Sequence, residues 1–136
     1  MASQNPYLTI TLTGRPPVKI KKEDWPVIAQ ASDNDRHGAQ IGNEPNKEDT
    51  WTLKVRQHED GRTIVYGTYS YDTHYQGDSL HDIRGGELLD PNCDVVEAIQ
   101  RVASDLADRL NAEDLPGNTF ARLAHQCIAD LPAVEI

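Results

Sequence analysis

The sequence predicts an α+β fold: an antiparallel β-sheet built on a central hairpin and packed on one face by C-terminal helices, in a single domain spanning residues 1–136. Three observations predict it. First, residues 51–71, WTLKVRQHEDGRTIVYGTYSY, place two apolar, β-branched and aromatic runs around Asp60-Gly61, a strong short-range hairpin signal. Second, residues 91–131 carry two apolar stripes at helical spacing. Third, the 38% of hydrophobic residues fall in periodic segments, and 136 residues are enough to build a core without disulfides or metal. The order strand, short helix, hairpin, two helices then reads as an antiparallel sheet covered by helices.

The register of the hairpin is itself readable. A two-residue loop on Asp60-Gly61 would pair Val55 with Tyr66. A three-residue loop with Gly61 left-handed and a bulge pairs Val55 with Val65 and Trp51 with Tyr69. The second is preferred because it gathers Trp51, Leu53, Val55, Val65, Tyr69 and Tyr71 on one face, with Ile64 and Tyr66 as the exceptions to the alternation.

Taken in order, Tyr7 to Thr13 alternates at period two and reads as a strand, stopped by Gly14 and the Pro16-Pro17 pair. Val18 to Ile20 extends briefly. Lys21 to Asp24 opens a short helix with Pro26 in its first turn, which puts Trp25, Ile28 and Ala29 on one face with Trp25 as a core anchor. Ser32 to Thr50 is rich in Gly, Asn, Asp and Pro and reads as a long surface loop. Asp72 to Gly86 reads as a second polar loop, and Glu87 to Leu89 as a short strand or edge. Asp90-Pro91 supplies an N-cap and a first-turn proline for a helix over residues 91–111, whose stripe is Val95, Val96, Ile99, Val102, Ala103, Leu106 and Leu110. Leu115-Pro116-Gly117 breaks it, Asn118 caps the next helix, and Pro132 ends that one.

The two cysteines, Cys93 and Cys127, sit at unequal distances from the turn between these helices. In an antiparallel pair the mismatch is about 12 Å at roughly 1.5 Å per residue. A disulfide tolerates Cα separations of up to about 7 Å, so two reduced thiols are expected. The chain has no amino-terminal basic segment leading into an apolar core and no run long enough to span a bilayer, so a cytoplasmic protein without a membrane partner is expected.

The net charge of −9 is unevenly spread. Residues 1–86 carry ten Lys/Arg against twelve Asp/Glu, whereas residues 87–136 carry three against ten. The helical end is therefore the acidic end, which disfavours direct binding to nucleic acid and suits presentation of carboxylates to a basic partner. Four of those carboxylates, Asp94, Glu97, Asp105 and Asp108, recur at helical spacing on one face and are the candidate partner-binding residues, although the plain reading of such a row is the wet side of a helix. Spaced carboxylates on a rigid helix imitate a phosphate track and can occupy an Arg/Lys site on another protein.

Two other constellations bear chemistry. Asp72, His74, Asp78, His81 and Asp82 could hold a divalent ion or form an acid/base pair, as in a small metal-dependent hydrolase or nuclease. Their spacing matches no established metal template, and polar loops collect such residues anyway. Lys54, Arg56, His58 and Arg62 beside Tyr66 form a small basic patch that could stack and neutralise a single strand, diluted by Glu59 and Asp60. No phosphate-binding glycine loop, nucleophile elbow or Cys/His pair is present, so neither a catalytic residue nor a cofactor is assigned.

The segments PPVKI at 16–20, DWPVIAQASD at 24–33, VRQHEDGRTIVYGTYSYDT at 55–73 and CIADLPA at 127–133 resemble a group of small acidic proteins carried on plasmids and integrative elements of proteobacteria. The resemblance brings no catalytic residues with it. What it implies is a setting similar to that of counter-defence factors, the anti-CRISPR and anti-restriction proteins, which bind host machinery rather than act on it chemically. The expectation is thus a non-enzymatic protein that occludes a partner, possible host defence complexes among them; an exposed apolar strip would equally make a homodimer.

Overall fold

A computed structural model describes residues 5–41, 44–73 and 80–133. Strands β1 (Tyr7–Leu12) and β2 (Arg15–Lys21) form an antiparallel ribbon. Strands β3 (Val27–Ile41), β4 (Glu44–Gln57), β5 (Thr63–Thr73) and β6 (Leu80–Leu89) form an antiparallel sheet in chain order. Helices α1 (Val95–Ala112) and α2 (Thr119–Asp130) pack on one face of that sheet, which makes the fold α+β.

The central hairpin is β4 and β5, in the bulged register: Val55 lies opposite Val65 and Trp51 opposite Tyr69. The Gly61 N–H donates to His58 O and the His58 N–H to Arg62 O, each at 2.9 Å, with Gly61 at φ +96°, a region closed to most side chains. Trp51, Leu53, Val55, Val65 and Tyr69 are buried on the helix side, against Ile99, Val102, Leu106, Phe120 and Leu123. Gly67 of β5 lets α1 come this close, since a Cβ there would stand 2.6 Å from Leu106 Cδ1 and 2.9 Å from Thr52 O.

Ile64 and Tyr66 break the alternation because the other face of the sheet is covered as well. Ile64 packs with Ile10, Leu12, Ile20 and Trp25, with Leu8, Val18, Tyr66 and Leu88 around them. The molecule therefore has three layers, helix pair, four-stranded sheet and two-stranded ribbon, joined at the ribbon turn where the Thr13 N–H donates to Gly86 O at 2.9 Å. Strand β5 of the hairpin serves both cores.

Several expectations are corrected. Ser32 to Thr50 is no loop: β3 and β4 run through it, pairing Asp33 with Trp51, Asp35 with Asp49 and Arg36 with Glu48. Its backbone groups are satisfied by strand pairing while its side chains are mostly polar, so no apolar period advertised it. Asp72 to Gly86 likewise holds the end of β5 and most of β6, with residues 74–79 outside the described residues. Pro16 and Pro17 lie inside β2, which pairs only with β1 and so leaves them the edge position prolines tolerate. Residues 22–24 form a single 3₁₀ turn that ends before Pro26; Trp25 joins the ribbon-side core, while Ala29 and Ile28 belong to the helix-side core. Asp90-Pro91 makes a turn, and the N-cap of α1 is Asp94, whose carboxylate accepts the Glu97 N–H at 3.1 Å. Asn118 holds the N-cap position of α2 without a side-chain cap bond. Both cysteines are free, Cys93 exposed and Cys127 buried. No described helix is long and apolar enough to cross a membrane.

Candidate functional site

The exposed face of α1 borders β6 and the β1–β2 turn, and between them lies an open groove of about 610 Å³. Helical spacing carries Glu97, Asp105 and Asp108 to its wall, and β6 adds Glu87 from the opposite side. Arg101 spans the groove with a two-pronged bond to Glu87, 2.9 Å from Nη2 to Oε1 and 3.1 Å from Nε to Oε2, and reaches Glu97 at 3.3 Å. The Glu87 carboxylate beside it holds the guanidinium above its ordinary pKa. Four carboxylates thus line the groove; Glu87 and Glu97 pair with Arg101, and Asp105 with Arg109 at 3.6 Å. Asp105 Oδ2 is shielded from solvent and accepts no hydrogen bond from any described residue; its ion-pair partner Arg109 lies 3.6 Å away and donates instead to Arg84 O at 2.9 Å.

Of the four carboxylates expected to form one surface, the structure brings Glu97, Asp105 and Asp108 together and sets Asp94 apart as the helix cap. Sequence reasoning missed Glu87, because a contribution from a neighbouring strand has no signature in helical spacing.

The basic patch is dispersed into structural work. Arg56 is buried, with Nε donating to the Tyr66 hydroxyl at 2.9 Å and Nη1 to Trp25 O at 3.0 Å. Arg62 bonds Asp60 at 2.8 Å and lies 5.1 Å from the Trp25 ring centroid, and the His58 ring is 5.1 Å from the same ring. These groups clamp the ribbon corner to the hairpin tip. Lys54 lines a shallow hollow with Thr52, Tyr66 and Thr68 on the sheet face.

In the Asp/His stretch, Asp82 bonds Arg84 at 2.8 Å, and the β5–β6 pairing sets Asp72 opposite Leu80 and His81 opposite Tyr71. His74 and Asp78 lie outside the described residues. Among the described residues, Asp72 and Asp82 enter no group of three metal-ligating atoms.

A separate polar network lies past the edge of the helix layer. Asp49 continues the inward row of Trp51, Leu53 and Val55 and is only 3% exposed. The fully buried Tyr69 donates its hydroxyl to Asp49 Oδ1, and His37 Nε2 shares a 2.6 Å hydrogen bond with Asp49 Oδ2. Burial, and then the Asp49 carboxylate, push the Tyr69 phenol above its ordinary pKa. Asp35, directly across from Asp49, completes the group. Sequence reasoning passed over it because it fell in the stretch read as loop; the Asp-x-His spacing at 35–37 puts both side chains on one face only once that stretch is a strand.

Comparison with known proteins finds no matching family model, no matching curated protein and no matching solved structure.

Proposed function

We propose that the chain is a non-enzymatic binding protein whose α1 groove occupies a basic surface of another protein and blocks it by occlusion. One observation carries the reading: Glu87, Glu97, Asp105 and Asp108 converge on a single open groove. An Arg or Lys from a partner entering the groove would gain charge-assisted hydrogen bonds to its solvent-facing carboxylates. The partner class that the sequence resemblance implies is a host defence complex, whose nucleic-acid site presents such cations. The same charge works against direct binding of the chain to nucleic acid.

The test is a tagged capture from nuclease-treated proteobacterial lysate with the wild type, a Glu97→Lys/Asp105→Lys/Asp108→Lys variant and a Glu59→Lys control at the exposed hairpin tip. The expected result is a stoichiometric protein that the wild type and control retain and the triple variant loses, with retention falling as salt rises. Equal capture by all three would move the binding surface off α1.

A further inference from the structure

We propose that Asp35, His37 and Asp49 form a binding site for a divalent first-row transition-metal ion of the Zn²⁺ or Mn²⁺ kind, on the β3–β4 arm and independent of the α1 groove. One nitrogen and two carboxylate oxygens, one from each residue, lie within 4.8 Å of one another. Ions of this class sit about 2.0–2.2 Å from such donors, which places ligand atoms about 3 Å apart, so small side-chain shifts seat the ion. The backbone fixes the three positions. Asp35 and His37 are two residues apart on β3 and share a face, and Asp49 stands opposite Asp35 on β4.

Charge and outer-shell geometry point the same way. Asp49 is a carboxylate held out of solvent, and among the described residues no Lys or Arg pairs with it. Its Oδ1 is fixed by the Tyr69 hydroxyl from a third strand, which leaves Oδ2 directed at His37. Such an orienting bond from outside the ligand set is what metal-bound carboxylates usually carry. With a neutral imidazole the three groups hold two negative charges, which a dication neutralises. The ion takes the place of the hydrogen bond between His37 Nε2 and Asp49 Oδ2, and the single proton of the neutral ring then sits on Nδ1. Asp35 and His37 are exposed, so the outer side of the ion stays open to water. One imidazole with two carboxylates suits first-row dications better than the all-oxygen shells of Ca²⁺ and Mg²⁺.

The experiment is calorimetric titration of the intact chain with ZnCl₂ and with MnCl₂, alongside thermal unfolding, for the wild type, Asp35→Asn, His37→Gln and Cys93→Ser. Both ligand substitutions are at exposed positions and leave the core untouched, whereas Asp49→Asn would also disturb Tyr69. The expected result is one equivalent of metal bound with a rise in Tm, affinity at least tenfold weaker in Asp35→Asn and His37→Gln, and no change in Cys93→Ser. Mn²⁺ should also broaden the His37 ring resonances ahead of those of the exposed His125. No binding by a folded wild type at millimolar metal, or equal binding in the wild type and both ligand variants, overturns the proposal.

Discussion

Cys93 and Cys127 are the same side chain in opposite surroundings, one exposed and one fully buried on the inner face of α2. Burial, and then the charge of Asp130, push the Cys127 thiol up to about 11. The neutral thiol is the form the fold accepts, so its contribution is complete below the unfolded pKa of about 9 and is lost as pH rises toward 11, roughly 3 kcal/mol over that window. Tyr69 shifts in the same direction through burial and Asp49. Thermal stability should therefore fall between pH 9 and 11, less steeply in Cys127→Ala; a flat profile would contradict the burial of both groups. At pH 8 a disulfide reagent such as DTNB should titrate one thiol at once and the second only on unfolding. Gly67 is a further single-residue constraint. Gly67→Ala must move Leu106, Leu53 and the Thr52 backbone, and should cost about 2–3 kcal/mol in a urea melt.

The elements differ in how far they could be read from the sequence. The β4–β5 hairpin was legible to the register, since Asp60-Gly61 and the inward row from Trp51 to Val55 leave one pairing that keeps the core on one side. Both C-terminal helices were legible from their stripes, although α1 starts four residues later than residue 91 because Asp94, not Asp90, makes the cap bond. The β3–β4 arm was not legible, because Asn34, Arg36 and Glu48 hold it by cross-strand bonds such as Arg36 Nε to Glu48 Oε2 at 2.9 Å and not by apolar period. The candidate metal-ligating group at 35, 37 and 49 was lost with it, while the three groove carboxylates on α1 were named and the fourth, Glu87 on β6, was not. Two measurements address these elements. Amide exchange should be slow through residues 48–52 of the interior strand β4 and slower there than at 33–37 on the edge strand β3; uniform fast exchange over 33–50 would restore the loop. Asp94→Ala should cost about 1 kcal/mol of stability yet leave partner capture intact, which separates the helix cap from the groove.

At the scale of the molecule, β5 is the common wall of two cores, and adjacent residues face opposite ways: Ile64 into the ribbon side and Val65 into the helix side, each no more than 1% exposed. The ribbon cannot leave without exposing Ile64, Ile10, Leu12, Ile20 and Trp25 together, and without breaking the Arg56 bond to Trp25 O. That coupling predicts one cooperative transition across all three layers. The chain supplies its own reporters, since Trp25 lies in the ribbon-side core and Trp51 in the helix-side core, where its Nε1 donates to Pro116 O at 2.8 Å. In urea, the fluorescence of Trp51 alone (Trp25→Phe) and of Trp25 alone (Trp51→Phe) should each change with a midpoint that matches the circular dichroism of the same variant. A Trp25 signal lost well before the helices melt would make the ribbon a detachable layer, with its corner clamp of Arg56, His58 and Arg62 too weak to bind it to the sheet. Coincident transitions would mean that the acidic groove, walled on one side by α1 and on the other by β6 and the ribbon turn, keeps its shape until the whole chain unfolds.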